Sequence, residues 1–542
     1  MATVSRLLAV LSCASLSFGC SSVRPANQVN LSAPTAIDLA SSPEWVTYGH
    51  DYGNRRYVSL SEINTTNASH LIPAYLFQTG VLGSFEASPI VSGGVIYVST
   101  PYDGVAAVDA RTGTLRWRRP PLSGQFKTCC GPVNRGVAVA RDLVVIGQLD
   151  GVLVALDQST GDLRWAKAVA DNVAGYSITM APLVVNDSII IGVGGGEFGI
   201  RGWLSSYALR DGTLQWRWYT TDPEHWFGPS KRLLSDDGRL DERESAKRRK
   251  KFAGSWKHGG GAIWTTPAFD STTNTLYVGT GNPWPDFKGE QRPGDNLFTD
   301  CIVALDASTG KMKWYFQVSP HDLRDHDVAS PPFLFETLDE RGRTFMALGE
   351  AGKDGFLYIL DRETGKLIRR SQHVVESSAL ARRSKFYEGG TSWSPVSFDP
   401  RLGFAIVTAA EHVRPGVAAG PVEHVARSMP ETSESGGYGT VSAVDVATGR
   451  IVWQDTFDEG LVGGSVSTAG GITFVGEGSG LFDALDTRTG RRLWQFQTGA
   501  GVNAPPVAFE IDGREYVAIA SGGNYQLGTH PGDVLLVFWL GN

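Results

Sequence analysis

Oxygen-bearing side chains stand at several breaks in an otherwise apolar, glycine-rich sequence. Glu197 follows three glycines in GVGGGEFGIRG, Asn282 lies in GTGNPWP, and Asp325 and Asp327 belong to SPHDLRDHD. Carboxylate and amide oxygens are hard ligands of the kind that calcium binds. The histidine spacing in the last motif matches no familiar zinc set. Each residue alone also fits a structural role, as a paired carboxylate or a turn residue, but together they indicate a cation site.

Two adjacent cysteines, Cys129 and Cys130, lie in FKTCCGPVNRG. Neighbouring Cα atoms are ~3.8 Å apart, whereas ordinary disulfides span ~4.4–6.8 Å, so a bond between them would close a strained ring. The alternatives are two unpaired thiols, or two cysteines bonded to different partners. The remaining cysteines are Cys13, Cys20 and Cys301. The first two precede the globular part, and the third stands in the apolar run DCIVALDA.

The string from Gly194 to Gly199 has the form G-x-G-x-x-G. A dinucleotide site would need a helix after this motif and an acidic residue ~20 positions beyond it. Here the following residues read as strands, and Glu197 stands inside the motif. The glycines therefore favour the close approach of something flat to the backbone.

A recurring phrase supplies the scaffold for these motifs. It consists of an apolar strand, an Asp, a Thr-Gly turn and a second strand that begins at Trp, and six copies end at Trp117, Trp165, Trp216, Trp314, Trp453 and Trp494. A seventh copy, LYILDRETGKLIR, lacks the Trp. A repeat of roughly 40–50 residues is typical of one four-stranded propeller blade. The sequence therefore predicts an all-β, eight-bladed β-propeller whose functional loops lie at one end of its channel. No stretch with helical periodicity is apparent.

The N-terminal region predicts export. A short apolar run in residues 1–20 is typical of a signal peptide and is too short to span a bilayer. Gly19 before Cys20 resembles an imperfect lipobox, which makes Cys20 a candidate for lipid attachment to a membrane. Residues 21–42 are predicted to be a flexible tether, and residues 43–542 a single propeller.

Charge narrows the range of partners. The net charge is −7, which argues against a nucleic-acid partner. The basic run from Lys247 to Lys251 lies beside an acidic stretch, and both belong to a predicted solvated insertion around residues 222–258.

Taken together, CCGPVNRG, GGGEFGIRG, GTGNP and PHDLRDHD resemble the quinoprotein alcohol dehydrogenases, which bind pyrroloquinoline quinone (PQQ) inside an eight-bladed propeller. The resemblance covers nearly everything after about residue 43. It implies a vicinal disulfide between Cys129 and Cys130 against one face of the quinone, with Trp264 against the other. It also implies polar or backbone cofactor contacts from Glu86, Arg135, Thr179, Gly194, Gly195, Gly196 and Lys353.

The resemblance also assigns the metal and the base. It implies metal ligation by Glu197, Asn282 and Asp325, with Asp325 also the catalytic base, and calcium as the expected ion. Asp327 matches an additional ligand of lanthanide-dependent members, so a lanthanide is the alternative ion. Sugar-oxidising relatives carry an Asp there too, and a third possibility is that Asp327 pairs with Arg324. The chain departs from the common family pattern at four positions that border cofactor or substrate: Ala262, Arg324, Ser392 and Val462.

The activity implied is periplasmic, PQQ-dependent oxidation of an alcohol or a sugar hydroxyl, with metal-assisted hydride transfer to PQQ. The sequence holds no C-x-x-C-H haem motif, so electrons are expected to pass to an external acceptor such as a cytochrome c or a quinone. A second hypothesis is a non-catalytic propeller lipoprotein of the outer-membrane assembly type, which predicts neither the cysteine pair nor the oxygen-ligand set. A third is a cofactor-binding relative without activity.

Overall fold

The computed structural model describes residues 42–338, 342–375, 387–413 and 438–541. The predicted signal peptide (1–20), Cys20 and all but the last residue of the predicted tether lie outside these residues. Within the described ranges, no helix is both long and apolar enough to cross a bilayer.

Two strands precede the first blade: β1 (Tyr57–Val58) and β2 (Leu71–Gln78). The first three blades each contain four strands paired in chain order. Blade 1 holds β3 (Ile90–Ser92), β4 (Val95–Ser99), β5 (Val105–Asp109) and β6 (Leu115–Arg119). Blade 2 holds β7 (Ala138–Ala140), β8 (Leu143–Gly147), β9 (Val152–Asp157) and β10 (Leu163–Ala168). Blade 3 holds β11 (Leu183–Val185), β12 (Ser188–Gly192), β13 (Trp203–Ala208) and β14 (Leu214–Tyr219).

An insertion separates blades 3 and 4. It contains a small hairpin, β15 (Leu234–Ser235) and β16 (Gly238–Arg239), followed by helix α1 (Glu242–Lys251). The helix begins because the Asp241 side chain accepts a hydrogen bond from the Glu244 backbone N–H at 2.8 Å, and Arg248 pairs with Glu244 one turn later. The expectation of no helix was therefore wrong, because this helix is stabilised by charges rather than by an apolar stripe.

Five further blades complete the ring. Blade 4 holds β17 (Ala268–Asp270), β18 (Thr275–Gly279), β19 (Cys301–Asp306) and β20 (Met312–Gln317). Blade 5 holds β21 (Phe333–Leu338), β22 (Thr344–Ala351), β23 (Leu357–Asp361) and β24 (Leu367–Arg370). Blade 6 holds β25 (Tyr387–Gly390), β26 (Ser397–Asp399), β27 (Phe404–Val413), β28 (Gly439–Asp445) and β29 (Ile451–Phe457). Blade 7 holds β30 (Ser465–Thr468), β31 (Ile472–Gly476), β32 (Leu481–Asp486) and β33 (Arg492–Gln497), and blade 8 holds β34 (Val507–Ile511), β35 (Arg514–Ser521) and β36 (Val534–Leu540).

The two ends of the chain close the propeller. β2 pairs antiparallel with β36 and becomes the outer strand of blade 8, while β1 pairs parallel with β30 of blade 7. The described residues therefore form eight blades, which confirms the predicted fold. Ring closure leaves few free sheet edges, which limits edge-to-edge association.

The repeated Trp and Gly explain how neighbouring blades dock. The indole N–H of Trp117 in blade 1 donates to the Gln158 carbonyl in blade 2 at 3.0 Å, and Trp165 donates to the Leu209 carbonyl in blade 3 at 3.1 Å. The same Trp117 ring covers Gly161, where a Cβ would lie 2.5 Å from a ring carbon. Five of the six repeat tryptophans pack on the turn glycine of the next blade in this way: Trp117, Trp165, Trp216, Trp314 and Trp453. Trp494 instead donates to the Leu71 carbonyl at 3.0 Å.

Candidate cofactor and metal site

Lys353 joins the two aspartates of the RDHD motif. Its ammonium lies 3.2 Å from Oδ2 of Asp325 and 2.7 Å from Oδ2 of Asp327. Lys353 follows strand β22 of blade 5, and the aspartates belong to the loop that enters the same blade. Lys353, predicted as a cofactor contact, therefore lies directly against two predicted metal ligands from another motif.

Asp322 shapes the loop that presents Asp325. Its carboxylate accepts hydrogen bonds from the backbone N–H groups of Arg324 at 3.2 Å and His326 at 3.1 Å. Between them, Asp325 adopts a left-handed backbone conformation with φ of 63°. Such a conformation is uncommon for a residue with a side chain and is often found at functional positions. Asp322 is therefore a positioning residue for the predicted base.

Asn282 and Asp327 are tied together directly. The backbone N–H of Asn282 donates to Oδ1 of Asp327 at 2.6 Å, and both residues are buried. The side-chain oxygen of Asn282 faces Gly196, where a Cβ would lie 3.5 Å from it. The loop after β18 thus meets both the Asp327 loop and the glycine-rich turn.

Glu197 lies on a short 3-10 turn, Gly196–Phe198, bounded by glycines in the left-handed region. Gly195 has φ of 104°, and a Cβ there would lie 2.0 Å from the Gly175 carbonyl oxygen, so the turn requires glycine. Burial raises the pKa of Glu197; the Asp327 charge raises it further, and the Lys353 charge opposes this. Glu197 therefore belongs to the same cluster as Asp327 and Lys353.

This cluster suits a hard cation. Lys353 contacts the carboxylates of Asp325 and Asp327, the Asn282 backbone N–H donates to Asp327, and the charges of Asp327 and Lys353 act on Glu197. Among the described residues, no three His, Cys, Asp or Glu side chains already stand in a metal-binding arrangement. Here Lys353 contacts two of the carboxylates, but the donor set retains an excess of negative charge. Its oxygen chemistry fits calcium or a lanthanide better than a soft metal.

A second group centres on a buried ion pair between Glu86 and Arg135, 2.8 Å apart. Asn524 of blade 8 donates to Oε1 of Glu86 at 2.6 Å. Burial raises the pKa of Glu86, and the positive charge of Arg135 opposes that shift. The Arg135 backbone N–H donates to the Thr179 carbonyl at 2.9 Å, so Thr179 fixes the position of the arginine.

Two tryptophans cover this arginine. The guanidinium carbon of Arg135 lies 4.8 Å from the ring centroid of Trp264 and 5.4 Å from that of Trp393. The two rings are 6.4 Å apart and inclined at 58°. A cationic group packed against aromatic faces is held in orientation, which suits a site that must bind a flat, multiply charged anion.

The cysteine pair lies close to the metal group. The sulfur atoms of Cys129 and Cys130 are 2.6 Å apart and are not bonded in this structure, so the predicted disulfide remains a prediction. The hydrogen bond with Cys130 raises the pKa of Cys129, and the negative charges of Glu197 and Asp325 raise it further. The Tyr525 hydroxyl donates to the Cys129 carbonyl at 3.5 Å.

Comparison with known proteins identifies the family. Residues 45–382 match the family described as glucose/ethanol/alcohol dehydrogenase, beta-propeller domain, and residues 437–534 match the family described as outer membrane protein assembly factor BamB. The chain is similar to the quinoprotein alcohol dehydrogenase PedH of Pseudomonas putida, with 32% identity over 92% of this chain and 89% of the relative. The chain belongs to the quinoprotein alcohol dehydrogenase family.

Two further relatives extend the comparison. This quinoprotein is 30% identical to methanol dehydrogenase (cytochrome c) subunit 1 of Paracoccus denitrificans, over 93% of this chain and 86% of the relative. A solved structure described as a europium-containing methanol dehydrogenase has a TM-score of 0.77 and 29% identity, and covers 93% of this chain and 100% of that chain. The predictions of a family and of an enzyme of the PQQ-dependent alcohol dehydrogenase type are confirmed.

The family departures occupy distinct surroundings in this quinoprotein. Ala262 and Val462 are buried, Ser392 is partly buried, and Arg324 is exposed. Ala262 lies beside the glycine-rich turn, because a Cβ on Gly196 would lie 3.7 Å from the Ala262 methyl carbon. Arg324 is thus the departure that projects into solvent, next to Asp325.

Three side chains with clear roles in this quinoprotein had no role in the sequence analysis. Asn524 contacts Glu86 across a sequence gap of 438 residues, so only ring closure brings the two together. Trp393 follows Ser392 directly, but the sequence predicted no role for it. Asp322 was counted in the HDLRDHD motif, and its position three residues before Asp325 is the one available signal for a turn-forming carboxylate.

Proposed function

We propose that this quinoprotein oxidises an alcohol or a sugar hydroxyl to the carbonyl, with Asp325 as the general base. The observation that carries this proposal is the contact of Lys353 with both Asp325 and Asp327 beside Glu197 and Asn282. It gathers the predicted base and the predicted metal ligands into one cluster. The side chain of Asp325 is 21% exposed, so a substrate hydroxyl can reach it.

Asp325 would take the hydroxyl proton of the substrate, a role that a carboxylate within hydrogen-bond distance performs. Asp322 holds the loop, and the ammonium of Lys353 keeps the Asp325 carboxylate in place. When bound, PQQ supplies the oxidising power, and a cation supplies Lewis-acid polarisation. The residues of the chain itself would bind and orient the substrate and the cofactor, and would limit the access of water to them.

The second group would hold PQQ. Arg135 provides a buried positive charge oriented by Glu86, Thr179 and Trp264. The glycines 194–196 allow close approach to the backbone, and Cys129 and Cys130 lie next to Glu197, where a bonded pair would present a rigid surface. A planar, multiply charged quinone needs such flat walls and donors.

Glu197, Asn282, Asp325 and Asp327 are the proposed metal ligands. Calcium and a lanthanide are the two candidate ions, because all four ligands offer hard oxygen atoms. The similar solved structure is described as a europium-containing methanol dehydrogenase, which supports a lanthanide as one of the two candidates.

The N-terminal sequence and the name of one relative support a proposal for the physiological setting. We propose export to the periplasm through the signal at residues 1–20, with Cys20 as a candidate lipid anchor and residues 43–542 as one propeller with an insertion around 222–258. An external cytochrome c or quinone would accept the electrons, and the cytochrome c in the name of the Paracoccus relative supports the former. The scaffold alternative draws support from the match at residues 437–534, but it gives no role to the buried Glu86–Arg135 pair.

Reconstitution tests the proposed function. Metal-free protein is loaded with PQQ and with calcium or lanthanum, and dye reduction is followed with primary, secondary and sugar alcohols. We expect PQQ-dependent and metal-dependent turnover with at least one alcohol class. Binding of PQQ without turnover on any class would instead support the cofactor-binding relative without activity.

A further inference from the structure

Tyr525 lies in the loop between β35 and β36 of blade 8, and the sequence predicted no role for it. Its side chain is 46% exposed, yet its ring packs directly against residues 129–132, which we call the cysteine turn. A Cβ on Gly131 would lie 2.0 Å from a ring carbon of Tyr525. Gly131 follows Cys130 and has φ of 84°, a conformation that favours glycine. The ring therefore covers the backbone immediately after the cysteine pair.

The loop that carries Tyr525 is tied to blade 1. The backbone N–H of Tyr525 donates to the Ser84 hydroxyl at 3.1 Å, and the side chain of the preceding residue, Asn524, donates to Oε1 of Glu86 at 2.6 Å. Ser84 and Glu86 belong to the segment that enters blade 1. Ring closure between blades 8 and 1 therefore fixes the place of the Tyr525 ring.

Other blades anchor the two ends of the cysteine turn. Before it, the side-chain oxygen of Asn172 accepts the Lys127 N–H at 3.0 Å, and the side-chain amide of Asn172 donates to the Lys127 carbonyl at 3.0 Å. After it, the Pro132 carbonyl accepts the Tyr102 N–H at 3.2 Å. These hydrogen bonds hold the ends of the turn, whereas the ring of Tyr525 is packed against its middle.

The conformation of this turn decides how readily the cysteine pair is oxidised. The two sulfur atoms are already 2.6 Å apart. A bond between neighbouring cysteines forms more readily when the dithiol is held in the required conformation, because less conformational entropy remains to be lost. Once formed, the bond restrains the turn by itself. A restraint from Tyr525 therefore acts mainly on the dithiol and favours its oxidation.

We infer that Tyr525 is a positioning residue for the cysteine pair: its ring, packed on Gly131, keeps Cys129 and Cys130 in the conformation that favours their disulfide. This inference rests on the proposed function, in which the bonded pair presents a rigid surface to PQQ. Tyr525 acts through the two cysteines and not on the substrate.

The reduction potential of the cysteine pair tests the inference without any need for turnover. Full-length protein is equilibrated in glutathione redox buffers, in which the two thiols pass two electrons and two protons to oxidised glutathione, giving the disulfide and two molecules of reduced glutathione. Free thiols are then alkylated, and the peptide that holds Cys129 and Cys130 is analysed by mass spectrometry.

We expect Tyr525→Ala to lower the equilibrium constant for disulfide formation about tenfold, the order of the entropy cost of fixing one residue. This change raises the reduction potential of the pair by about 30 mV. Tyr525→Phe keeps the ring on Gly131 and should retain the potential of the wild type.

Tyr102→Ala is the matched control. Tyr102 is another partly exposed tyrosine, but it bonds the cysteine turn through its backbone N–H, which alanine retains. Its potential should equal that of the wild type. Equal potentials in the wild type and Tyr525→Ala would overturn the inference, and so would equal shifts in Tyr525→Ala and Tyr102→Ala. If Tyr525→Ala does not fold, Tyr525→Leu carries the same expectation in direction.

PQQ binding by the wild type, followed by absorption of the cofactor, separates the inference from the proposed function. If Tyr525→Ala shifts the potential but the wild type binds no PQQ, the proposed function fails and the effect of Tyr525 on the cysteine pair stands. If PQQ binds but Tyr525→Ala leaves the potential unchanged, only the inference fails. If the wild-type pair stays reduced in fully oxidised glutathione, the predicted disulfide and the inference both fail.

Discussion

The ammonium of Lys353 lies 2.7 Å from Oδ2 of Asp327, which also accepts the backbone N–H of Asn282 through Oδ1. A residue assigned to the cofactor and residues assigned to the metal therefore share one network. A substitution of Lys353, Asp327 or Asn282 should therefore affect the binding of both PQQ and the metal ion.

The first prediction concerns Asp327. Asp327→Asn keeps an acceptor for the Asn282 N–H but removes one negative charge from the site. We expect turnover with lanthanum to fall more than turnover with calcium, because the trivalent ion depends more on ligand charge. The measurement is the dye-linked rate of metal-free protein refilled with PQQ and either ion. If lanthanum never supports turnover of the wild type, Asp327 does not indicate a rare-earth site.

A second prediction concerns the cysteine pair. We expect Cys129 and Cys130 to be bonded to each other in the exported, active protein, because an oxidising compartment permits disulfides and the sulfur atoms are already adjacent. Mass spectrometry of the non-reduced peptide should show the loss of two hydrogens within one fragment. Cys301, which is buried and unpaired, gives the reference for a free thiol after denaturation. Alkylation of both Cys129 and Cys130 in active enzyme would contradict the prediction.

Blade docking gives a third prediction. Gly161→Ala should lower the free energy of unfolding by about 1–3 kcal/mol, the cost of a strained left-handed residue, plus the displacement of Trp117. Gly161 has φ of 76° and lies under that ring. Gly513→Ala is the control, because Gly513 has φ of 77° and open space around it. Denaturant unfolding should show a larger loss for Gly161→Ala; equal losses would mean that the Trp117 contact adds nothing.

The fourth prediction is a pH dependence of stability. Burial raises the pKa of Glu515 to about 7, while its Oε2 accepts the Ile63 N–H at 2.9 Å. The unfolded chain has a Glu pKa of about 4.3, so the folded state holds an extra proton between these values. The stabilisation is complete below about pH 4 and is lost as the pH rises through about 7.

Glu515→Gln tests this dependence, because Gln can still accept from the Ile63 N–H but cannot titrate. Thermal unfolding is measured from pH 5 to pH 8. The wild-type Tm should fall more steeply with rising pH than the Tm of Glu515→Gln. Parallel curves for the two proteins would show that Glu515 does not contribute to the pH dependence.

The sequence predicted the propeller because the Asp, Thr-Gly and Trp of each repeat make local turns and contacts with the next blade. It missed helix α1 (Glu242–Lys251), since that helix has no apolar periodicity and its start depends on Asp241 and Glu244. The N-cap Asp followed by Glu was the available signal.

Only those residues of the candidate site that lie in unusual local motifs could be predicted from the sequence. Glu197, Asn282 and Asp325 lie in motifs that break the repeat and are visible as such. Asn524 lacks a local signal, because its contact with Glu86 joins blade 8 to the start of blade 1. A sequence can show which residues are unusual, but which of them come into contact is decided by ring closure.

The most direct test of the central claim compares wild type with Asp325→Asn after loading with PQQ and metal. Absorption of bound PQQ and dye-linked turnover are measured on the same samples. Asp295→Asn is the control, because Asp295 is a partly buried aspartate on which the positive groups Arg239, His321 and Arg249 act. The account predicts that Asp325→Asn retains much of its PQQ and the wild-type Tm, while turnover falls by about 10²- to 10⁴-fold, the usual contribution of a general base. Near-normal turnover of Asp325→Asn on a good substrate would contradict the assignment of Asp325 as the base.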